Sequence, residues 1–309
     1  MEFMVSDVYE HRRCVKSVEG VEGWPTGWHW VWLHETQCES GPGWAALHDD
    51  EKTSVTMALN EIALGRRSEA TEPDALKAVF AEFIATFLFV FIGVGSCIAH
   101  SKLDSGALDA AGLVCIAIAH GLAIVVTVAA TANISGGHVN PAVTFGLAVG
   151  GHITLIRGAF YWIAQLLGAT LAAYLLKGVI ITTGLSMPLH DLGAGVSVTG
   201  GLVLEMVLTF ALVFVIYATA VDGKRGQIGI IAPLAIGFTV LANHFIGVPF
   251  TGASMNPARS FGPAFAAMDF HNHWIYWVGP LLGGGLAGVV YELVFMTTET
   301  GHVPLDNSY

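Results

Sequence analysis

Two short asparagine-proline-alanine motifs are the residues of this chain best suited to specific chemistry. They are Asn140-Pro141-Ala142 and Asn256-Pro257-Ala258. An asparagine amide has two N–H donors and one acceptor oxygen, so it can cap a helix and still donate a hydrogen bond to a passing oxygen. Proline at the first helical position gives up a donor that would be unpaired there anyway. Each motif is therefore predicted to begin a helix whose positive N-terminus carries an amide donor.

Few ionisable side chains lie in the apolar part of the chain, and each is a candidate functional group. Glu82, Glu205 and His120 lie inside long apolar segments. Arg259 lies three residues after Asn256. Such groups are costly inside a membrane unless they are paired or face an aqueous cavity, and a guanidinium also repels cations. For the two glutamates, a proton relay and a structural role are both open at this point.

The composition indicates a multi-span membrane protein. Of 309 residues, 54% are hydrophobic and 12% charged, against about 25% charged in soluble domains. The mean hydropathy is +0.63. A membrane helix needs about 20 apolar residues. Six segments meet this length, near residues 78–99, 110–131, 157–178, 199–221, 230–247 and 274–296.

The rest of the composition indicates no further chemistry. The net charge of −11 comes mostly from tails and loops, and no nucleic-acid partner is expected. The four cysteines show neither paired nor metal-ligand spacing, so free thiols and no metal or cofactor are expected. No nucleophile–base constellation is visible, which argues against an enzyme.

The two motifs belong to an internal repeat. Glu82-Phe83-x-x-Thr86-Phe87 in the first span matches Glu205-Met206-x-x-Thr209-Phe210 in the fourth. Tyr161-Trp162 in the third span likewise matches Tyr276-Trp277 in the sixth. Each half holds three spans, an odd number, so the second half must be inserted upside down. The apolar runs after the motifs are too short to span a bilayer, and we expect two half-helices that enter from opposite faces and meet asparagine to asparagine.

Such a meeting point would form a pore that excludes cations. Each half-helix N-terminus contributes about half a positive charge. The two amides could together hold a water molecule by its lone pairs and interrupt a file of hydrogen-bonded waters. The segments 135–139 and 251–255, which precede the motifs, are expected to be extended and to expose carbonyl acceptors. Capping alone would not require two matched motifs inside a membrane, where irregular backbone must line a cavity.

The distribution of positive charge predicts the topology. Lys and Arg beside the span ends fall mostly on one side, at Arg66, Arg67, Lys77, Arg157, Lys224 and Arg225, with only Lys102 and Lys177 on the other. The positive-inside rule therefore places both termini in the cytosol.

The chain ends differ from the apolar part. Residues 1–56 contain five of the eight tryptophans without helical or alternating periodicity. We expect this extension to be disordered or an artefact of the gene model. A cytosolic leader follows over residues 57–77, then the channel-like domain 78–297, with repeats at about 78–178 and 199–297. A cytosolic tail covers residues 298–309.

Two such motifs among six spans identify the chain as a member of the major intrinsic protein, or aquaporin, family. The runs Ile62-Ala63-Leu64-Gly65-Arg66, Ile134-Ser135-Gly136-Gly137-His138 and Ser254-Met255 resemble those of the plant tonoplast intrinsic proteins. The resemblance covers Met57 to about residue 297. It implies an all-α membrane fold of six transmembrane helices and two half-helices in an inverted repeat. It also implies a homotetramer in the lipid of the vacuolar membrane, with one water pore per subunit.

The resemblance further implies a second constriction, the aromatic/arginine filter. By offset from the motif asparagines, its four positions fall on His120, His244, Ala253 and Arg259. A slip of one position would place Asn243 or Phe245 in the position of His244.

The resemblance also assigns roles to positions outside the filter. His190 matches a loop histidine that lies beside the filter arginine in some members, and a solvated loop residue is the equal alternative. Glu82 and Glu205 match glutamates that support the pore loops. Ser260, where glycerol-conducting members usually have aspartate, favours water as the solute.

The predicted function is passive transport of water, with neutral ammonia or other small uncharged solutes as further substrates. A strictly water-selective channel is the alternative if His120 and His244 touch across the opening. A secondary transporter is the rival class, because it also uses inverted repeats, but only Glu82 and Glu205 could bind its coupling ion.

Overall fold

The computed structural model describes residues 63–66, 69, 71–104 and 108–296. The predictions for the extension 1–56, the start of the leader and the tail 298–309 concern residues outside this description.

The described residues form an all-helical structure. Its α-helices are α1 Pro73–Leu103, α2 Ala110–Ser135, α3 Pro141–Val149, α4 Leu155–Ile180, α5 Val198–Ile216, α6 Ala232–Thr251, α7 Pro257–Ala267 and α8 Ile275–Val290. Single π-helical turns extend α5 over Tyr217–Val221 and α8 over Tyr291–Phe295, and a 3₁₀ stretch over Gly223–Ile231 precedes α6. Six of the helices are long and apolar enough to cross a membrane, which confirms the predicted spans.

Both motifs begin short helices, as predicted. The Asn140 side chain caps α3 by accepting from the Ala142 N–H, and the Asn256 side chain caps α7 by accepting from the Ala258 N–H. The two helices have 9 and 11 residues, which is about half of a membrane-spanning length. They are therefore half-helices.

The two halves of the repeat interlock. Helix α1 packs on α4 in the first half, and α5 packs on α8 in the second. Helices α2 and α6 join the halves. Each half-helix packs on the last span of the opposite half, α3 against α8 and α7 against α4. Most of the packing that supports each half-helix therefore comes from the opposite half.

Glycines set the closest helix contacts at equivalent places in the two halves. A Cβ at Gly168 on α4 would fall on the carbonyl oxygen of Phe83 on α1. A Cβ at Gly283 on α8 would fall on the carbonyl oxygen of Met206 on α5. Because protein interiors are closely packed, a side chain at either position would force the helices apart. Gly168 and Gly283 therefore determine the distance between α1 and α4 and between α5 and α8.

We predict that Gly283→Ala destabilises the protein while Gly178→Ala does not. The added methyl group at Gly283 would overlap backbone, and overpacking of this kind costs about 1–3 kcal/mol. Gly178 on α4 has no heavy atom within 4 Å of an added Cβ. Thermal unfolding of the two variants in detergent measures the difference, and equal melting temperatures would contradict the proposed role of Gly283.

Candidate functional site

The two motif asparagines meet at the centre of the helical bundle. The Asn140 Nδ2 donates to the carbonyl oxygen of Met255 at 2.8 Å, and the Asn256 Nδ2 donates to the carbonyl oxygen of Val139 at 2.9 Å. Each amide thus bonds the loop of the opposite half while its oxygen caps its own helix. Since an amide nitrogen carries two hydrogens, each asparagine retains one further donor.

The residues before the asparagines adopt a backbone conformation that is rare for their types. Val139 has φ of 57° and Met255 has φ of 52°. A β-branched valine in this left-handed region is a genuine outlier, and such strain costs about 1–3 kcal/mol per residue. In both halves the strained residue is the one whose carbonyl accepts from the opposite asparagine. The strain therefore accompanies the presentation of that carbonyl.

The carboxylate of Glu82 supports the first loop. Its Oε1 accepts from the Ser135 hydroxyl at 2.6 Å and the His138 N–H at 2.9 Å. Its Oε2 accepts from the Val139 N–H at 2.7 Å and from the Gln165 side-chain amide at 2.8 Å. The glutamate is fully buried, and four donors offset the cost of burying its charge.

Glu205 supports the second loop in the same way. Its Oε1 accepts from the Thr251 hydroxyl at 2.6 Å and the Ser254 N–H at 2.9 Å. Its Oε2 accepts from the Met255 N–H at 2.8 Å. The position equivalent to Gln165 is Pro280, which has no donor, so the two halves differ here. These contacts favour the structural role over the proton relay for both glutamates.

The structure brings His120, His244 and Arg259 together on one side of the asparagines. The Arg259 Nη2 lies 3.2 Å from His120 Nε2. The rings of His120 and His244 face one another with centroids 4.2 Å apart and an interplanar angle of 32°. His244 is 1% exposed and its ring faces His120, whereas Phe245 is 40% exposed. The Asn243 side chain instead donates to the carbonyl oxygen of Leu208.

Backbone contacts assign the tautomers of both imidazoles. His120 Nδ1 lies 2.9 Å from the carbonyl oxygen of Ile116, and His244 Nδ1 lies 2.8 Å from that of Val240. A carbonyl only accepts, so each Nδ1 carries the hydrogen and each Nε2 is an acceptor. His120 Nε2 therefore accepts from Arg259. His244 Nε2 and Arg259 Nε are buried without a hydrogen-bond partner among the described residues.

His190 lies beside these residues and is not a solvated loop residue. It is 8% exposed, and its Nδ1 lies 2.7 Å from the Ser260 hydroxyl. The Ser260 oxygen also lies 2.5 Å from the Ser254 hydroxyl, which joins His190 to the second loop. Burial, and after it the charge of Arg259, hold the pKa of His190 well below its usual range. His190 is therefore a neutral base. Ala253, which is buried with φ of 58°, completes the predicted set.

Cavities lie on both sides of the asparagines. One of about 630 Å³ is lined by the first loop, including Gly137 and His138, and by the 3₁₀ stretch before α6. Another, of about 240 Å³, is lined by Cys97, His190 and Arg259, among others. The described residues thus offer approaches to the asparagine pair from two sides.

Three contacts of the site were not predicted from the sequence. The asparagines donate across to the opposite loop, Gln165 is a fourth donor to Glu82, and the Cys97 sulfur contacts Arg259. Each joins residues far apart in the chain. Only the repeat itself could have hinted at the first, because it predicts that the two motifs meet.

Comparisons with known proteins agree with the architecture. The sequence profile of the Major intrinsic protein family matches residues 69–291. Aquaporin TIP2-1 of Arabidopsis thaliana is 60% identical over 245 residues, covering 79% of this chain and 97% of the relative. Probable aquaporin TIP2-1 of Oryza sativa subsp. japonica is 60% identical over 237 residues, covering 76% and 94%.

A solved structure shows the same fold. The aquaglyceroporin from Plasmodium falciparum superposes with a TM-score of 0.64 at 25% identity, covering 72% of this chain and 97% of that one. The inverted helical repeat, the paired half-helices and these matches show that the chain belongs to the Major intrinsic protein, or aquaporin, family of membrane channels, which are not enzymes, and that it is similar to aquaporins of the TIP type.

Proposed function

We propose that this protein is a passive water channel of the vacuolar membrane. The observation that carries the proposal is the meeting of two half-helix N-termini whose asparagines cross-donate at the centre of the bundle. Each amide keeps one N–H for a solute. A water molecule between them would donate to neither, so its oxygen would be held while its hydrogens point away from the centre. Two half-helix dipoles of about +0.5 charge each would repel hydronium and other cations there.

The second constriction supports the same solute class. Arg259 supplies a fixed positive charge, and the adjoining His120 and His244 rings place bulk at the same level. A narrow polar opening beside a cation favours water and other small neutral molecules over larger solutes such as glycerol or urea. Ser260 bonds His190 and adds no negative charge near Arg259.

A secondary transporter is less well supported. Coupling to an ion requires an ionisable group that is free to bind it in one state and release it in another. Glu82 and Glu205 instead use both carboxylate oxygens to hold backbone and hydroxyl donors of the loops. Displacing these donors would leave buried N–H groups unpaired, at about 1–3 kcal/mol each.

The proposed channel function predicts rapid water flux and a role for Gly93 in it. Proteoliposomes holding the protein should shrink faster than empty liposomes under osmotic stress, with a low activation energy and no dependence on an ion gradient. In Gly93→Ala the new Cβ would lie 2.6 Å from His120 Nε2 and would displace this ring from its contacts with Arg259 and His244. We expect the water permeability to fall by about tenfold or more.

Gly95→Ala is the matched control for Gly93→Ala. It makes the same change on the same helix, but its Cβ would lie 3.6 Å from Leu176 Cδ2, an ordinary contact. Its flux should equal that of the parent. Parent flux no faster than in empty liposomes would rule out the channel, and equal flux in the two variants would rule out the His120 constriction.

We further propose that neutral ammonia passes with water. The rings of His120 and His244 do touch, which is the arrangement named above for a strictly water-selective channel. Ammonia, however, is close to water in size, so this contact alone does not separate the two molecules, and the unpartnered Nε2 of His244 is an acceptor for the hydrogens of ammonia. Ammonium would be repelled by the Arg259 charge, so ammonia is expected to pass in its neutral form, and the neutral imidazole of His190 adds no second positive charge beside Arg259. Growth of yeast that lacks ammonium transporters tests this proposal.

The parent chain should restore growth of this yeast on low ammonium. His244→Ile and His190→Ala, which remove the polar groups, should restore it less. Water flux measured in membrane vesicles from the same yeast strains controls for folding of each variant. Failure of the parent to restore growth, with normal water flux, would favour the strictly water-selective channel.

We propose a homotetramer in the vacuolar membrane, with both termini cytosolic. The support is the clustering of Lys and Arg at one set of span ends and the TIP names of the relatives. A fluorescent protein fused to the C-terminus should outline the vacuole and be digested by protease added to intact vacuoles. Plasma-membrane labelling, or protection from the protease, would contradict the location or the topology. Native mass spectrometry should detect four copies.

A further inference from the structure

The filter arginine has a sulfur neighbour. Arg259 Nη2 lies 3.8 Å from the Sγ of Cys97, a free cysteine on α1, as well as 3.2 Å from His120 Nε2. The Cys97 thiol itself points to the carbonyl oxygen of Gly93 at 3.6 Å. The sulfur is therefore an acceptor for the guanidinium at the level of the imidazole pair.

Cys97 can be reached from the cavity of about 240 Å³, because it lines this cavity together with Arg259 and His190. Both of these residues are more than nine-tenths buried. The Nε of Arg259 and the Nε2 of His190 have no hydrogen-bond partner among the described residues. The Arg259 Nε is a hydrogen-bond donor, and the His190 Nε2 belongs to a neutral imidazole. The lining of the cavity thus combines a guanidinium, an imidazole and a thiol.

We propose that Cys97 is an oxidation site for hydrogen peroxide that enters this cavity, and that its oxidation slows the pore. Peroxide is neutral and has the donors and acceptors of water, so the groups proposed to pass water would also bind it. The sulfur attacks one peroxide oxygen, the O–O bond breaks, and hydroxide leaves. Sulfur is oxidised to sulfenic acid, peroxide oxygen is reduced, and the thiol proton converts the hydroxide to water. The Arg259 charge faces the leaving hydroxide.

The contact between Cys97 and Arg259 explains why oxidation of the sulfur would reduce the water flux. The sulfur and the guanidinium nitrogen are already in contact at 3.8 Å, so an oxygen cannot be inserted between them without movement. It must either push Arg259 toward the two imidazoles or project into the cavity. Both positions reduce the cross-section at the narrow level of the path. This second part rests on the proposed water-channel function, whereas the oxidation itself does not.

The experiment uses the full chain in proteoliposomes. Vesicles are treated with hydrogen peroxide and divided: in one portion sulfenic acid is trapped with dimedone and mapped by mass spectrometry, and the other portion, without dimedone, is used for the flux measurement. Water permeability is compared with that of the same vesicles before treatment. We expect a dimedone adduct on Cys97 and a fall in permeability of about twofold or more that dithiothreitol reverses.

Two serine variants provide the controls. Cys97→Ser should keep its own starting permeability after peroxide. Cys115→Ser removes the free cysteine on the exposed face of α2 and should respond like the parent. Absence of the Cys97 adduct would overturn the proposal, as would an adduct without loss of flux or an equal loss in Cys97→Ser. Vesicles without flux before treatment would instead overturn the channel function, while the adduct would still report the oxidation.

Discussion

The hydrogen bonding of two buried carboxylates to loop backbone is the constraint on which the rest of the site depends. Glu82 and Glu205 each accept from two successive N–H groups of a loop, and in both cases the second belongs to the residue with positive φ. Without these hydrogen bonds, nothing would offset the backbone strain of Val139 and Met255, and both residues would leave the left-handed region. Their carbonyl oxygens would then no longer accept from the opposite asparagines, and the two half-helices would lose their alignment.

The interlocked packing makes this arrangement rigid. Each half-helix rests on the last span of the other half, so the two asparagines cannot separate without moving α4 or α8. The glycines at Gly168 and Gly283 let these helices approach α1 and α5 closely enough to place both glutamates under their loops. The inverted repeat is therefore more than a trace of duplication. It allows two short helices, each too short to span a membrane, to meet with their positive ends together.

Departures from the repeat are concentrated on one side of the asparagine pair. His120, His244, Arg259 and His190 lie there, and Pro280 takes the place that Gln165 has in the other half. Symmetric elements thus hold the centre, while unmatched side chains give one entrance its charge and its bulk. We expect solute selectivity on this side of the pore, because Arg259 places a positive charge there that has no counterpart in the repeat. The contact between His120 and His244 makes this entrance depend on small displacements of either ring.

The sequence by itself determined the six spans, the two half-helices and their caps, because apolar length and the asparagine-proline pair act locally. It also indicated that the halves are inverted, since that follows from counting spans. Only the tertiary structure decided that the asparagines bond opposite loops, that His190 is buried beside Ser260, and that Cys97 touches Arg259. These contacts join residues that are 70 to 162 positions apart. Their geometry depends on helix spacing and backbone strain, which no local pattern of residue types encodes.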